Sequence, residues 1–195
     1  MRLVILGGPG AGKGTQAARL CSHLEIPWIS TGEILRQAIA AQTELGKQAQ
    51  PYLDKGELVP DPTMIEFIHQ RLTQPDAASG WLLDGYPRTA FQAEELDFEL
   101  EKLGQQLDRA IWLKVSSEEL MRRSILRGQS EAHGSRPDDE PEIIRRRIQL
   151  FEERTTPLLD YYDYGDRLLT INGDPPPDEV HEAILSQLMQ TLADK

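Results

Sequence analysis

The chain has one cysteine, Cys21, so an intrachain disulfide and any multi-cysteine zinc or iron–sulfur site are excluded. Cys21 follows Ala17, Ala18 and Leu20 at helical spacing, the setting of a buried structural thiol rather than a nucleophile. The four histidines, His23, His69, His133 and His181, show no metal-ligand spacing, and no serine–histidine–acid arrangement can be argued from them. Long apolar runs are missing as well: none approaches the roughly 20 residues of a membrane span. The Leu3–Leu6 run behind Arg2 is shorter than the ~7–15 residues of a signal h-region. A cytoplasmic, reducing setting is therefore expected. Positive charge is scarce: 21 Lys plus Arg face 32 Asp plus Glu, a net charge of −11. A far field of that sign repels nucleic acid and anionic membrane. No repeat or low-complexity tract occurs in the 195 residues, a length that suits one compact domain with a small insertion.

Of the basic residues, 15 are Arg and 6 are Lys. The planar guanidinium fork suits local recognition of phosphate or carboxylate, so a small anionic ligand fits this charge pattern better than a polymer. Leu3–Leu6 is wholly apolar, as in a strand buried on both faces of a parallel sheet. Similar runs recur at Ile26–Ser30, Trp81–Asp84, Ala110–Val115 and Leu168–Ile171. Helical patterns lie between them at about 13–24, 33–55, 61–73, 90–103, 117–127, 141–163 and 178–192. This alternation predicts an α/β fold, a doubly wound parallel sheet with helices on both faces. Asp61 before Pro62, and Ser116 with Glu119 three residues on, read as helix caps. Pro157 should interrupt the long helix after 141. Residues 31–59, helical without a strand, read as a small insertion, and 128–140, rich in Gly, Ser and Asp, read as an exposed loop.

The strongest chemical signal is Gly7–Gly8–Pro9–Gly10–Ala11–Gly12–Lys13–Gly14–Thr15. It follows a strand and opens a helix, the context of a phosphate-binding P-loop. Its glycines let backbone N–H groups converge on oxyanions, and Lys13 adds a mobile charge. Gly14 stands where a hydroxyl directly after the lysine is expected, so direct ligation of Mg²⁺ there is not expected. Asp84 ends an apolar strand whose carboxyl end faces the P-loop, where it could hold the water shell of a metal. Gly85–Tyr86–Pro87–Arg88 then aims Arg88 back at the same cleft. Around the 128–140 loop lie Arg122, Arg123, Arg127, Arg136, Arg145, Arg146 and Arg147. A solvated helix face accounts for Arg122, Arg145 and Arg146. Arg123 and Arg127 share a helix face, and with Arg136 and Arg147 they could converge on one anion, as phosphoryl transfer requires.

Taken in order, GGPGAGKGTQ at 7–16, STGEILR at 30–36, KGELVPD at 55–61, LLDGYPRT at 82–89 with Gln92, RG at 127–128 and RPDD at 136–139 with Arg147 resemble the adenylate kinases, nucleoside monophosphate kinases of the short-lid type. The resemblance covers most of the chain. It implies a P-loop kinase domain over 1–195 with a five-stranded parallel sheet, its core at 1–29, 60–126 and 137–195. It also implies an AMP-binding flap at 30–59, a short lid at 127–136 and a monomer. The reaction implied is ATP + AMP ⇌ 2 ADP with Mg²⁺ carried as Mg-ATP, no structural zinc, and no nucleic-acid or membrane partner.

By the same resemblance, Gly10, Ala11, Gly12, Lys13, Gly14 and Thr15 cradle the ATP phosphates. Thr31 and Arg36 meet AMP, and Glu57, Leu58 and Val59 lie along its adenine. Gly85, Tyr86, Pro87, Arg88 and Gln92 complete that site, with the Gln92 amide on the base. Arg127 is similar to the arginine that stacks on the ATP adenine. Arg123, Arg136 and Arg147 are similar to those that, with Lys13 and Arg88, hold the transferring group and the AMP phosphate. Asp138 and Asp139 match lid carboxylates, and Pro175 stands near the ATP adenine, where its carbonyl can accept but no amide can donate. Glu33 replaces the usual Asp. A UMP/CMP kinase is the alternative, but Thr31, Tyr86 and Thr89 depart from its pattern. A P-loop GTPase would need an NKxD segment, which is absent. A bare ATP-binding module would leave the arginines unexplained.

Overall fold

A computed structural model describes residues 1–129 and 140–193. Five strands, β1 (Arg2–Leu6), β2 (Trp28–Ser30), β3 (Trp81–Asp84), β4 (Arg109–Lys114) and β5 (Leu168–Asn172), form one sheet in the order β2-β3-β1-β4-β5. Every pairing is parallel. Side chains on a strand alternate between faces, and β1 shows what that does here. Val4 and Leu6 enter one core with Ile29, Trp81, Leu83 and Ala110. Leu3 and Ile5 enter the opposite core with Leu82, Ile111, Leu113, Leu169 and Ile171. Both faces are buried, which is why the strands read as continuous apolar runs.

Four helices, α1 (Lys13–Leu24), α6 (Ser117–Gly128), α7 (Pro141–Leu150) and α9 (Pro177–Ala193), cover the Leu3 face with Leu20, Leu120, Ile144 and Ile184 among their buried residues. On the Val4 face α4 (Asp61–Leu72), α5 (Ala90–Lys102) and α8 (Thr156–Tyr164) bring Ile68, Leu96 and Tyr162. Each such side chain contributes about 1.5–3 kcal/mol by leaving water. Among the described residues no helix is long and apolar enough to cross a membrane.

The expected helix at 33–55 is two helices, α2 (Thr31–Ala40) and α3 (Glu44–Leu53). The break falls where Gln42 takes a left-handed φ of 53° and Thr43 caps α3, its Oγ1 accepting from the Gly46 N–H at 3.1 Å. At Gly46 the two helices touch: a Cβ there would stand 2.1 Å from the Ala38 carbonyl oxygen, so only glycine permits the approach. Ser116 caps α6 as expected, accepting from the Glu119 N–H. Asp61 does not cap α4. Pro60 holds the cap position, and the Asp61 carboxylate accepts from Gln92 instead, at 2.7 Å. Pro157 interrupts the long helical stretch after 141 as expected: a π-helical turn, Phe151–Thr155, separates α7 from α8. Proline offers no N–H to the carbonyl four residues back, and the widened turn lies just ahead of that missing donor.

Candidate active site

Ligands of open parallel sheets bind beyond the carboxyl ends of the strands, where the strand order reverses. Here that place lies beside β1, which runs into the P-loop. Gly10 sits at φ +82°, and a Cβ on it would come within 2.7 Å of the Leu120 carbonyl and the Ser124 hydroxyl of α6, so backbone and packing both demand glycine. Helix α1 then starts at Lys13 behind Gly12, with no side-chain cap on its first turn. Those amides, together with the positive end of the helix, are suited to an anion. The Lys13 ammonium folds back over the loop and donates to the carbonyls of Gly7 and Gly8 at 2.7 and 2.9 Å. Burial lowers its pKa from 10.5 to about 8; Asp84 opposes the fall, while Arg88, Arg147 and Arg127 add to it. The site concentrates cations around an anion-shaped hole.

Two clefts open side by side. The first, about 520 Å³, is lined by Lys13, Pro9, Pro87, Leu150, Phe151 and Thr155. The second, about 610 Å³, is lined by Thr31, Arg36, Glu57, Val59, Tyr86 and Gln92, with Leu35 and Met64 behind them. Gly56, Leu58, Gly85, Arg88 and Arg147 line both. Two of the shared residues carry guanidinium groups, so a charge placed in either cleft meets the same pair of arginines.

Local hydrogen bonds hold these side chains. The Thr31 hydroxyl donates to the Asp84 carbonyl at 3.1 Å. Arg36 pairs with Glu33 at 3.0 Å, three residues back on α2. Arg88 Nε donates to the Gly85 carbonyl at 2.8 Å, and both backbone groups of Arg88 are taken by buried side chains: its N–H by Gln92 Oε1 at 2.8 Å and its carbonyl by the Thr155 hydroxyl at 3.0 Å.

A sequence model of the family described as adenylate kinase matches residues 5–166. The chain belongs to the adenylate kinase family. It is 59% identical over 191 residues to "Adenylate kinase 2" of Nostoc sp., spanning 98% of this chain and all of that protein. It is 54% identical over 188 residues to "Adenylate kinase 2" of Synechocystis sp., 96% of this chain and all of the relative. With the "Adenylate kinase" of Stenotrophomonas maltophilia it shares 47% over 188 residues, 96% and 99% of the two chains. Membership makes it a phosphotransferase of the nucleoside monophosphate kinase class, and the UMP/CMP alternative is not favoured.

Within the adenylate kinase frame Lys13, Thr31, Arg36, Glu57–Val59, Gly85–Arg88, Gln92 and Arg147 line the two clefts, whereas Gly10–Gly12, Gly14, Thr15, Arg123, Arg127 and Pro175 line neither. Arg123, expected among the phosphate-clamping arginines, is bound elsewhere: its Nε donates to Glu119 at 2.6 Å and its other nitrogens to the Gly173 and Asp174 carbonyls at 2.8 and 3.0 Å. Arg127, expected on the ATP adenine, is one of the cations acting on Lys13. Pro175 lines neither cleft, although it directly follows the carbonyls that hold Arg123. Arg136, Asp138 and Asp139 lie outside the described residues, as does most of the expected lid.

Three interactions in and behind the clefts escape a reading of local sequence spacing. Arg146 keeps the solvated face assigned above, its side chain 37% exposed, and bonds there to Glu57 at 2.9 Å across 89 residues. Thr155 holds the Arg88 carbonyl from the π turn ahead of Pro157, and nothing in its neighbours marks that distant partner. Asp61, beside two prolines, looked like a cap because its distant partner Gln92 is invisible to local spacing.

Proposed function

We propose that this adenylate kinase transfers the terminal phosphoryl group of Mg-ATP to AMP, reversibly, giving two ADP. The observation that supports it is the shared wall: Arg88 and Arg147 border both the P-loop cleft and the Thr31–Gln92 cleft. A triphosphate on the P-loop and a monophosphate in the second cleft would therefore meet at one pair of cations. The donor contacts assigned are the amides of Gly10 to Thr15 with the Lys13 ammonium. The acceptor contacts are Thr31, Arg36, the Glu57–Val59 segment, Gly85 to Arg88, and Gln92.

An AMP phosphate oxygen attacks the γ-phosphorus; the new P–O bond forms as the β,γ-bridging P–O bond breaks, and ADP leaves. The attacking oxygen is already ionised at neutral pH, so no general base is required. What the chain must supply is charge neutralisation on the transferring oxygens, and Lys13, Arg88 and Arg147 stand where that charge would pass. We assign Arg127 to this group and Arg123 to the base of ATP, reversing the expectation from sequence. The grip of Arg123 on the Gly173–Asp174 loop and the effect of Arg127 on Lys13 support the exchange.

A divalent cation fits this site in one way. Among the described residues no cluster of three His, Cys, Asp or Glu could ligate a metal, and Gly14 offers no hydroxyl. Asp84, beside Lys13, is the carboxylate that would hold Mg²⁺ through its water while ATP supplies the direct ligands. When bound, the ion neutralises phosphate charge.

Hydrolysis is avoided only if water is excluded during transfer, so residues 30–59 are read as a flap and 127–136 as a lid closing on a core of 1–29, 60–126 and 137–195. A monomer in a cytoplasmic setting is the assembly and location assigned with this reading. The test is to incubate the protein with Mg-ATP and AMP, CMP or UMP in turn and separate the diphosphates. ADP formation dependent on AMP is expected; preferential CDP or UDP would overturn the reading.

A further inference from the structure

Gln92 is 2% exposed, and both ends of its amide are held. Its Oε1 accepts from the Arg88 N–H at 2.8 Å, and its Nε2 donates to Asp61 Oδ1 at 2.7 Å. A backbone N–H can only donate and an ionised carboxylate can only accept. The two partners therefore dictate one orientation of an amide that could otherwise rotate by half a turn. One lone pair on Oε1 and one hydrogen on Nε2 remain, on a residue that lines the Thr31 cleft. Asp61 does not line either cleft.

We propose that Asp61 is a specificity-determining positioning residue: by locking the Gln92 amide it makes the acceptor site take a 6-aminopurine monophosphate and reject a 6-oxopurine one. The locked amide offers an acceptor beside a donor, in fixed order. Adenine answers with its N6 amine as donor and ring N1 as acceptor. A 6-oxopurine carries the reverse pair, O6 as acceptor and N1–H as donor, and could be satisfied only by the rotated amide. Rotation would satisfy that base but set the Gln92 amine against the Arg88 N–H and turn its carbonyl oxygen onto the Asp61 carboxylate. Of the two locks, the charge-assisted bond to Asp61 is the stronger.

This inference rests on the second cleft being the acceptor site for AMP. The experiment measures kcat/KM for AMP and for IMP with Mg-ATP in the wild type, Asp61→Ala and Asp61→Asn, separating IDP from ADP by chromatography. Asp61→Ala removes the acceptor. Asp61→Asn keeps the shape but can face either amide orientation. The AMP-over-IMP ratio should fall about tenfold in both, through the monophosphate KM, with kcat for AMP and the KM for ATP little changed. A folded variant that keeps the wild-type ratio, or loses AMP and IMP turnover equally, overturns the proposal, since loss of a purely structural contact would leave the ratio unmoved. Wild-type protein that forms no AMP-dependent ADP would instead defeat the functional reading itself, so the two failures are told apart.

Discussion

Raising the pH removes a single charge from the P-loop, because Lys13 has a pKa of about 8 against an ordinary 10.5. Holding the ammonium charged among these neighbours costs roughly 3 kcal/mol at 1.36 kcal/mol per unit. In the free protein roughly nine in ten Lys13 side chains are charged at pH 7 and roughly one in ten at pH 9. Bound triphosphate places negative charge beside the ammonium and raises the pKa again. The two kinetic parameters should therefore separate. kcat/KM for ATP reports the free enzyme and kcat the loaded one, so kcat/KM should fall about tenfold per unit above pH 8 while kcat stays level for at least a further unit. Initial rates of ADP formation between pH 6.5 and 10, with AMP held well below its KM for kcat/KM and saturating for kcat, give both curves. Lys13→Met, folded but nearly inactive, should show no such limb. The stability curve carries the same signature with its own sign. The unfolded chain binds more protons than the folded one between the two pKa values, so stability should rise from pH 8 to 10.5. A wild-type kcat/KM profile flat to pH 9.5 would refute the account of Lys13 as a buried cation in an anion-shaped hole.

Four further outcomes are expected. Thr31→Ala and Gln92→Ala should each lower kcat/KM for AMP about tenfold and narrow its preference over CMP, because a buried unpaired polar group costs ~1–3 kcal/mol; a raised KM for ATP instead would mean the two clefts are assigned the wrong way round. Thr155→Val removes the hydroxyl on the Arg88 carbonyl and should lower kcat severalfold, with Thr155→Ser restoring it; equal loss in both variants would make the residue a packing element only. Exchanging the charges in Glu57→Arg/Arg146→Glu should recover most of the AMP affinity that either single change loses, as read in a double-mutant cycle. Asp97 binds Arg167 through two contacts of 2.8 Å and accepts from the Tyr161 hydroxyl at 2.6 Å, so Asp97→Ala should cost about 2–3 kcal/mol in urea unfolding and leave both KM values alone.

What the sequence made legible was whatever depends on neighbours along the chain. The buried strands were plain from runs such as Leu3–Leu6, the P-loop from its glycines, the Ser116 cap from Glu119, and the interruption at Pro157 from its missing N–H. The turn at Gln42 was not legible, because that residue carries no marker of a left-handed conformation and Gly46 announces a helix crossing only once Ala38 is opposite it. Interactions between distant residues were hidden for a related reason. Arg146 and Arg147 are adjacent and chemically identical, yet one pairs with Glu57 and the other borders both clefts; helix rotation decides between them. Arg123 and Arg127 share one face, so only the position of the Gly173–Asp174 loop separates their surroundings.

The strand made first is the one placed in the middle of the sheet. β1 lies between β3 and β4, and its hydrogen-bonding partners begin at Trp81 on one side and Arg109 on the other. During synthesis the P-loop strand therefore leaves the ribosome with both edges open, and neither can close until some eighty residues have followed. Helix α1 waits longer still, since Gln16 bonds to the Pro177 carbonyl and Arg19 to Asp178, both from the last helix. The phosphate-binding loop is thus braced from two distant parts of the chain, by Leu120 and Ser124 of α6 packed against Gly10 and, through α1, by the start of α9.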